Sequence, residues 1–365
     1  MGFKDVAKKG RERGKKGLNK GIPIPFPKLK KYLPNIQAKL YNCSADSGVG
    51  KTKWVNFLFM YNTFFQWKEG TIEDFEITYL TAEMTIEELV GEFQAICVYK
   101  FNNKQLTDTD QIYSMGENKI PKSLDDYLES KEMGKLLEEF ESKVTIINTK
   151  MTPKFVLKKI HDLAEANGTI HTKTINGVEK FKNYTKHNDN KWCIFIFDNF
   201  QKIQPTGGQL LRQAIIDTSL YMDIYGRQRY GFVMVGIQQV NRNSKSFDRF
   251  KLEQFFSSEQ DLKDSEAPFH DAQVCLTQIS PLKLGLETFD GYTIKGSDGL
   301  YDRIRAIKII KNRGGQSYKV GYFMFLGENS LYAELPYSDK MTSEWYKNIK
   351  SLTKIKEDTE QVNIK

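Results

Sequence analysis

The sequence has little cysteine, histidine or proline: 4 Cys, 4 His and 10 Pro in 365 residues. Cys43, Cys97, Cys193 and Cys275 stand far apart, with no C-x-x-C pair. Three lie in apolar runs that read as buried strands, so reduced core thiols and a cytoplasmic setting are expected. His161, His171, His187 and His270 make no zinc-ligand spacing with them. No apolar run nears the ~18–20 residues that cross a membrane, and the N-terminus has no apolar signal-peptide stretch. No repeat recurs at a period of about 20–50 residues. With 26 Gly, 39% hydrophobic and 27% charged residues, wholesale disorder, collagen and low-complexity classes are excluded.

What is present is aromatic and basic. Aromatic residues make up 13% of the chain, enough for a large core, and the length suits one large α/β domain or two modest ones. The formal net charge is +8. Most of the excess sits in residues 1–20, where eight Lys/Arg face only Asp5 and Glu12. Such a segment reads as a solvated basic arm, a nucleic-acid contact or a subunit-docking linker.

Short apolar runs alternate with longer helical patterns. Strands are expected at Lys39–Cys43, Phe75–Leu80, Val144–Ile147, Trp192–Phe197, Gly231–Ile237, Ala272–Leu276, Arg305–Ile310, Val320–Leu326 and Leu331–Glu334. Helices are expected at Lys53–Phe65, Thr85–Val98 with Thr85 as N-cap, Leu124–Phe140, Pro153–Ala166 and Gln209–Tyr225. Residues 167–191 are polar and read as an exposed insertion, a hairpin or a mobile segment. Residues 241–263 lack a clear period, and residues 338–365 read as a polar C-terminal tail. Continuous apolar strands separated by helices predict an α/β fold with a mainly parallel sheet covered on both faces. The hairpin spacing around Gly327–Ser330 predicts antiparallel strands at its C-terminal edge.

The strongest motif is Ala45-Asp46-Ser47-Gly48-Val49-Gly50-Lys51-Thr52, a P-loop of the form [A/G]-x-x-x-x-G-K-[ST] between a strand and a helix. Its backbone N–H groups would cradle phosphates, Lys51 would reach the β- and γ-phosphates, and the Thr52 hydroxyl would bind Mg²⁺. Ala45 replaces the usual first glycine. Asp198, at the end of the apolar run Ile194–Phe197, is a candidate metal-side acid; a strand ending in Asp is also common by chance. Glu83 follows the strand Phe75–Leu80. It reads either as the base that activates water, on a strand next to the P-loop, or as a helix-start carboxylate near Thr85. Gln239 is a candidate γ-phosphate sensor or part of an ordinary strand-exit loop. Lys311 and Arg313, before Gly314-Gly315, read as a solvated loop or as cations reaching a neighbour's nucleotide.

Taken together, these residues resemble the ATPase domain of the replicative helicase DnaB and its phage relatives. The resemblance begins at Gly21-Ile22-Pro23-Ile24-Pro25-Phe26-Pro27-Lys28-Leu29 and continues through the P-loop and Thr81-Ala82-Glu83-Met84-Thr85. It then runs through Phe197-Asp198-Asn199-Phe200, Gln239-Val240-Asn241-Arg242, Asp261-Leu262-Lys263-Asp264-Ser265 with Asp271-Ala272, and Lys311-Asn312-Arg313-Gly314. All occur in family order over roughly residues 20–335. The resemblance implies a RecA-like fold, ATP and Mg²⁺ as nucleotide and metal, and a ring, usually a hexamer, that moves 5′→3′ on single-stranded DNA. It makes Glu83 the general base, Asp198 the metal-side acid and Gln239 the γ-phosphate sensor. Lys311 and Arg313 would act in trans on the adjacent subunit's ATP, and Lys263 and Asp264 would lie on a loop facing the DNA channel.

Some features depart from the family. Glu266 stands where its DNA loop has Gly. The resemblance leads to the expectation that the family's primase-docking N-terminal domain is missing, with residues 1–20 in place of the linker helix. A pared-down helicase is expected, with primase or a loader as further partners; the Lys, Asn and Ile bias suggests a phage origin. The competing readings are a RecA-type strand-exchange ATPase and a nucleotide-gated regulatory ring that binds protein rather than DNA.

Overall fold

Among the described residues, eleven strands of four or more residues follow one another along the chain: β1 (Leu40–Ala45), β2 (Asp74–Thr81), β3 (Val144–Asn148), β4 (Gly168–Ile175), β5 (Val178–Lys186), β6 (Lys191–Asp198), β7 (Val233–Gln239), β8 (Val274–Ile279), β9 (Ile304–Asn312), β10 (Lys319–Leu326) and β11 (Leu331–Glu334). The computed structural model describes residues 2–15, 17, 19–102, 104–241, 247–296 and 299–354. Nine strands form one sheet in the order β11-β10-β9-β8-β1-β7-β6-β2-β3. From β8 to β3 all pairings are parallel, and β8 through β11 pair antiparallel. This is the mixed sheet that the sequence predicts.

The helices include α1 (Phe3–Lys15), α2 (residues 51–68, π-helical at Asn56–Tyr61), α3 (Ile86–Phe101), α4 (Lys122–Leu128), α5 (Lys131–Glu141), α6 (Pro153–Asn167), α7 (Leu211–Tyr221), α8 (Ala267–Asp271) and α9 (Ser343–Lys354). The parallel strands are apolar throughout because both faces are covered. In β6, Ile194 and Ile196 point into the core beneath α2, α3 and α5. Cys193, Phe195 and Phe197 point into the opposite core beneath α6 and α7. The first core is aromatic: Phe93 stacks on Phe140 with centroids 3.9 Å apart, and Phe26 of the opening segment stacks on Trp54 at 5.4 Å. Gly21 starts that segment at φ +81°, and a Cβ there would sit 2.4 Å from the Ile36 carbonyl oxygen.

Several sequence expectations are refined. Thr85 caps α3, with a capping box to Glu88. The single helix expected over Leu124–Phe140 is two, because the Ser130 side chain caps a new start by accepting from the Met133 N–H. The polar insertion is an antiparallel hairpin, β4–β5, whose Tyr184 hydroxyl donates to the Ala164 carbonyl at 2.9 Å. The basic arm is helical over Phe3–Lys15, and Arg13 pairs with Asp189 at 3.3 Å. The segment read as a polar tail contains α9, whose Ile349 is buried with Trp345 and Tyr346 against a third core under the antiparallel strands. All four cysteines are free and buried. Among the described residues, no helix is long and apolar enough to cross a membrane.

The stacked Phe93–Phe140 pair ties α3 to α5. Phe93→Ala should destabilise the fold by about 3–5 kcal/mol, from lost burial and the cavity left behind, as measured by denaturant unfolding.

Candidate functional site

The sheet's carboxyl edge collects the candidate residues in register. Ala45 pairs with Gln239 and with Gln278, Phe197 with Gly236, and Thr81 with Asp198. The P-loop, Asp198, Glu83 and Gln239 therefore leave one row of strand ends, where open α/β sheets bind ligands. One expectation is corrected. The Glu83 strand follows the P-loop helix in sequence but is not beside the P-loop strand. β7 and β6 pair between β1 and β2, because later strands of the chain insert there.

The P-loop turns on Gly48 (φ +69°) and Gly50 (φ +107°). A Cβ on Gly50 would lie 2.9 Å from the Tyr332 hydroxyl and 3.0 Å from the Phe325 ring, so both backbone and packing demand glycine. Ala45 is fully buried in extended strand conformation, so that position needs only a small side chain. Three successive carbonyls are gripped from outside the loop. Lys283 Nζ donates to Gly48 O at 2.5 Å. Gln278 Nε2 and Arg305 Nε donate to Val49 O at 3.2 and 3.0 Å, and the Tyr332 hydroxyl donates to Gly50 O at 3.0 Å. Among the described residues, the N–H groups of Gly48, Val49 and Gly50 donate to no protein acceptor. Asp46 and Ser47 line a small recess beside Lys283. Lys51 and Thr52 open α2, and Lys51 is 8% exposed. A cleft of about 550 Å³ opens beside α2, lined by Lys53, Thr109, Arg305 and Phe325 among others.

Asp198 is fully buried. Its Oδ2 accepts from the Tyr79 hydroxyl at 3.1 Å, while its Oδ1 has no hydrogen-bond partner. Burial and then the Glu83 charge push its carboxyl up to about 6, against the pull of Lys51 and the hydroxyls of Tyr79 and Thr52. An orphaned buried carboxylate oxygen facing a lysine and a threonine hydroxyl fits a divalent cation, so Thr52 and Asp198 are the residues that would hold Mg²⁺. Glu83 sits before the N-cap of α3, held by its own N–H donating to Thr81 Oγ1 at 3.1 Å. The helix-capping carboxylate is Glu88 instead. Glu83 Oε1 lies 3.8 Å from Lys202 Nζ, both partly exposed.

The remaining candidates occupy two places. Gln239 is half-buried at the end of β7, and its N–H donates to Gln201 Oε1 at 2.9 Å. The exposed Lys263 and Asp264 follow the same edge: the Lys263 N–H donates to Gln239 O at 3.0 Å, and Gln201 Nε2 donates to Lys263 O at 2.9 Å. Arg242 lies outside the described residues. Lys311 and Arg313 are not with this group. Lys311 pairs with Cys275 near the start of β8, six residues along β9 from Arg305, or about 20 Å. Lys311 Nζ donates to the carbonyls of Phe269 and His270 at 2.6 and 2.9 Å, and Arg313 donates to His270 O at 3.3 Å. There they satisfy carbonyls at the end of α8.

Sequence reasoning missed Tyr79, Gln238, Gln278, Arg305 and Tyr332. Gln238 is fully buried; it accepts from Asn42 at 3.0 Å and donates to Ser265 O at 2.6 Å, tying β1 to the Lys263 loop. Amides at or just beyond the ends of the apolar runs of β7 and β8 were the available signal, since a buried amide needs partners.

No protein-family model and no curated protein matches the sequence. Solved structures do match in fold. A DnaB-like replicative helicase, studied with its interactions with primase, superposes with a TM-score of 0.59 at 15% identity. That match covers 87% of this chain and 64% of the helicase, so the chain spans under two thirds of that protein's length. A second solved structure, an isolated ATPase domain, gives a TM-score of 0.59 at 15% identity, covering 92% of this chain and 100% of that domain. With its P-loop on β1 and its mixed nine-stranded sheet, the chain has the RecA-like fold of DnaB-type helicase ATPase domains.

Proposed function

We propose that this chain is an ATP-driven helicase motor that forms a ring and translocates on single-stranded DNA. The observation that carries the reading is the carboxyl-edge cluster: a glycine-turned P-loop with Lys51 and Thr52, facing a buried Asp198 with Glu83 beside it. The P-loop N–H groups and Lys51 hold the triphosphate, and the adjoining cleft of about 550 Å³ gives room for the nucleoside. Magnesium, when bound, offsets charge on the β- and γ-phosphate oxygens. Glu83, at the solvent-facing side of the cluster, takes the proton of the attacking water. Gln239 senses the γ-phosphate, and its backbone bond to Lys263 carries that state to the loop of Lys263 and Asp264, which contacts DNA.

Lys311 and Arg313 lie on the far edge of the sheet from their own P-loop, which supports action on the neighbouring subunit's nucleotide. In that state they exchange the carbonyls of α8 for phosphate oxygens. A hexamer and the 5′→3′ direction rest on the family resemblance, as does primase or a loader as a partner. Electron microscopy with an ATP analogue and single-stranded DNA tests the whole reading. Closed rings on DNA are expected; filaments would favour a strand-exchange ATPase, and rings indifferent to DNA a regulatory one.

Glu83→Gln should bind ATP normally yet lose hydrolysis, because the amide keeps the shape but cannot accept a proton. Wild-type turnover in that variant would return Glu83 to a structural role. Arg313→Ala should bind ATP but hydrolyse it on the order of 10³-fold more slowly. Mixing Arg313→Ala with Lys51→Ala subunits, each inactive alone, should restore part of the activity, read as phosphate release. Mixed rings without recovery would remove the role in trans.

A further inference from the structure

Arg305 has no role in the chemistry above, yet it is among the most deeply buried charges in the described chain, at 4% exposure. Its guanidinium lies 5.0 Å over the Phe325 ring. The Asp302 carboxylate, 3.6 Å away, is itself more than half exposed. Its hydrogen bonds go to backbone oxygens: Nε to Val49 at 3.0 Å, and Nη1 to Ile304 at 3.0 Å and to Asp302. Filling this space with a charge costs desolvation that an aliphatic side chain would avoid. What the guanidinium adds is a rigid set of donors aimed at carbonyls.

The target matters because a trans peptide unit points its C=O and N–H in opposite directions. Holding Val49 O outward turns the Gly50 N–H inward. Lys283 on Gly48 O does the same for the Val49 N–H, and Tyr332 on Gly50 O for the Lys51 N–H. Of these side chains, Arg305 is the one that is both charged and buried, and it shares the Val49 oxygen with Gln278. Phe325, under its guanidinium, is also the ring that crowds Gly50.

We propose that Arg305 is a positioning residue of the nucleotide site, which fixes the Val49–Gly50 peptide so that its N–H faces the phosphates. This rests on the nucleotide reading of the P-loop. Arg305 lines the cleft, but its hydrogen bonds go to backbone carbonyls, and it acts on the phosphates through the Val49–Gly50 peptide.

The test compares wild type, Arg305→Ala and Arg305→Lys by anisotropy of a fluorescent ATP analogue, with melting temperatures recorded alongside. Arg305→Ala should bind about tenfold more weakly, the worth of a charged hydrogen bond to a buried carbonyl. Arg305→Lys should fall between, because it keeps charge but loses the planar fork. Millimolar guanidinium chloride, and not methylammonium chloride, should restore much of the affinity of Arg305→Ala. A folded Arg305→Ala protein with wild-type affinity would overturn the proposal, as would a variant indifferent to guanidinium. Should Arg305→Ala fail to fold, wild-type affinity in Arg305→Lys would overturn it equally. Wild-type protein that binds no nucleotide would overturn the P-loop reading itself, a distinguishable result.

Discussion

A carboxylate buried at the end of a parallel sheet is the constraint to which the rest of this structure answers. Asp198 has no exposed surface, so its charge must be met by groups brought to it. Lys51 and Thr52 from the helix after β1 and Tyr79 from β2 meet it, while Glu83 from the turn beyond β2 adds a like charge. Their effects on Asp198 oppose one another, with burial and Glu83 pushing its carboxyl up and Lys51 and the hydroxyls pulling it down. Such opposed influences on a buried carboxylate recur at functional sites. The order β1-β7-β6-β2 is what places these groups around one point.

The glycine-turned loop after β1 is built by both halves of the chain. The amino-terminal half supplies the strand, the glycines and the helix. The carboxyl-terminal half supplies the grip on its carbonyls, through Gln278 on β8, Lys283 after it, Arg305 on β9 and Tyr332 on β11. β9 also carries Lys311 at its other end. One strand therefore touches its own P-loop at one end and presents its cations on the opposite edge.

Segments that look polar in sequence still fold where a few apolar side chains reach a core. In the β4–β5 hairpin, Ile170, Phe181 and Tyr184 dock a ribbon most of whose other residues are exposed. In α9, Trp345, Tyr346 and Ile349 do the same. Exposed charge dominates composition, whereas a stripe of three side chains decides docking.

The alternation of apolar runs and helices was enough to predict a mainly parallel sheet with an antiparallel edge, because strands covered on both faces must be apolar throughout. The P-loop was equally legible, since its glycines and its Lys-Thr pair are local requirements of backbone and phosphate. Asp198, Glu83 and Gln239 could be named as strand-end residues, but not their mutual placement. Chain order alone puts Glu83 on the strand next after the P-loop, whereas the sheet order puts two strands between them. Gln238, Gln278 and Arg305 lie at or just beyond the ends of the apolar runs, and nothing local in the sequence marks their partners. Their partners lie as far as 256 residues away, Arg305 on Val49. Local sequence fixes which conformations a segment can take, whereas the partner of a buried polar group is chosen by whichever distant carbonyl the packed fold brings within reach.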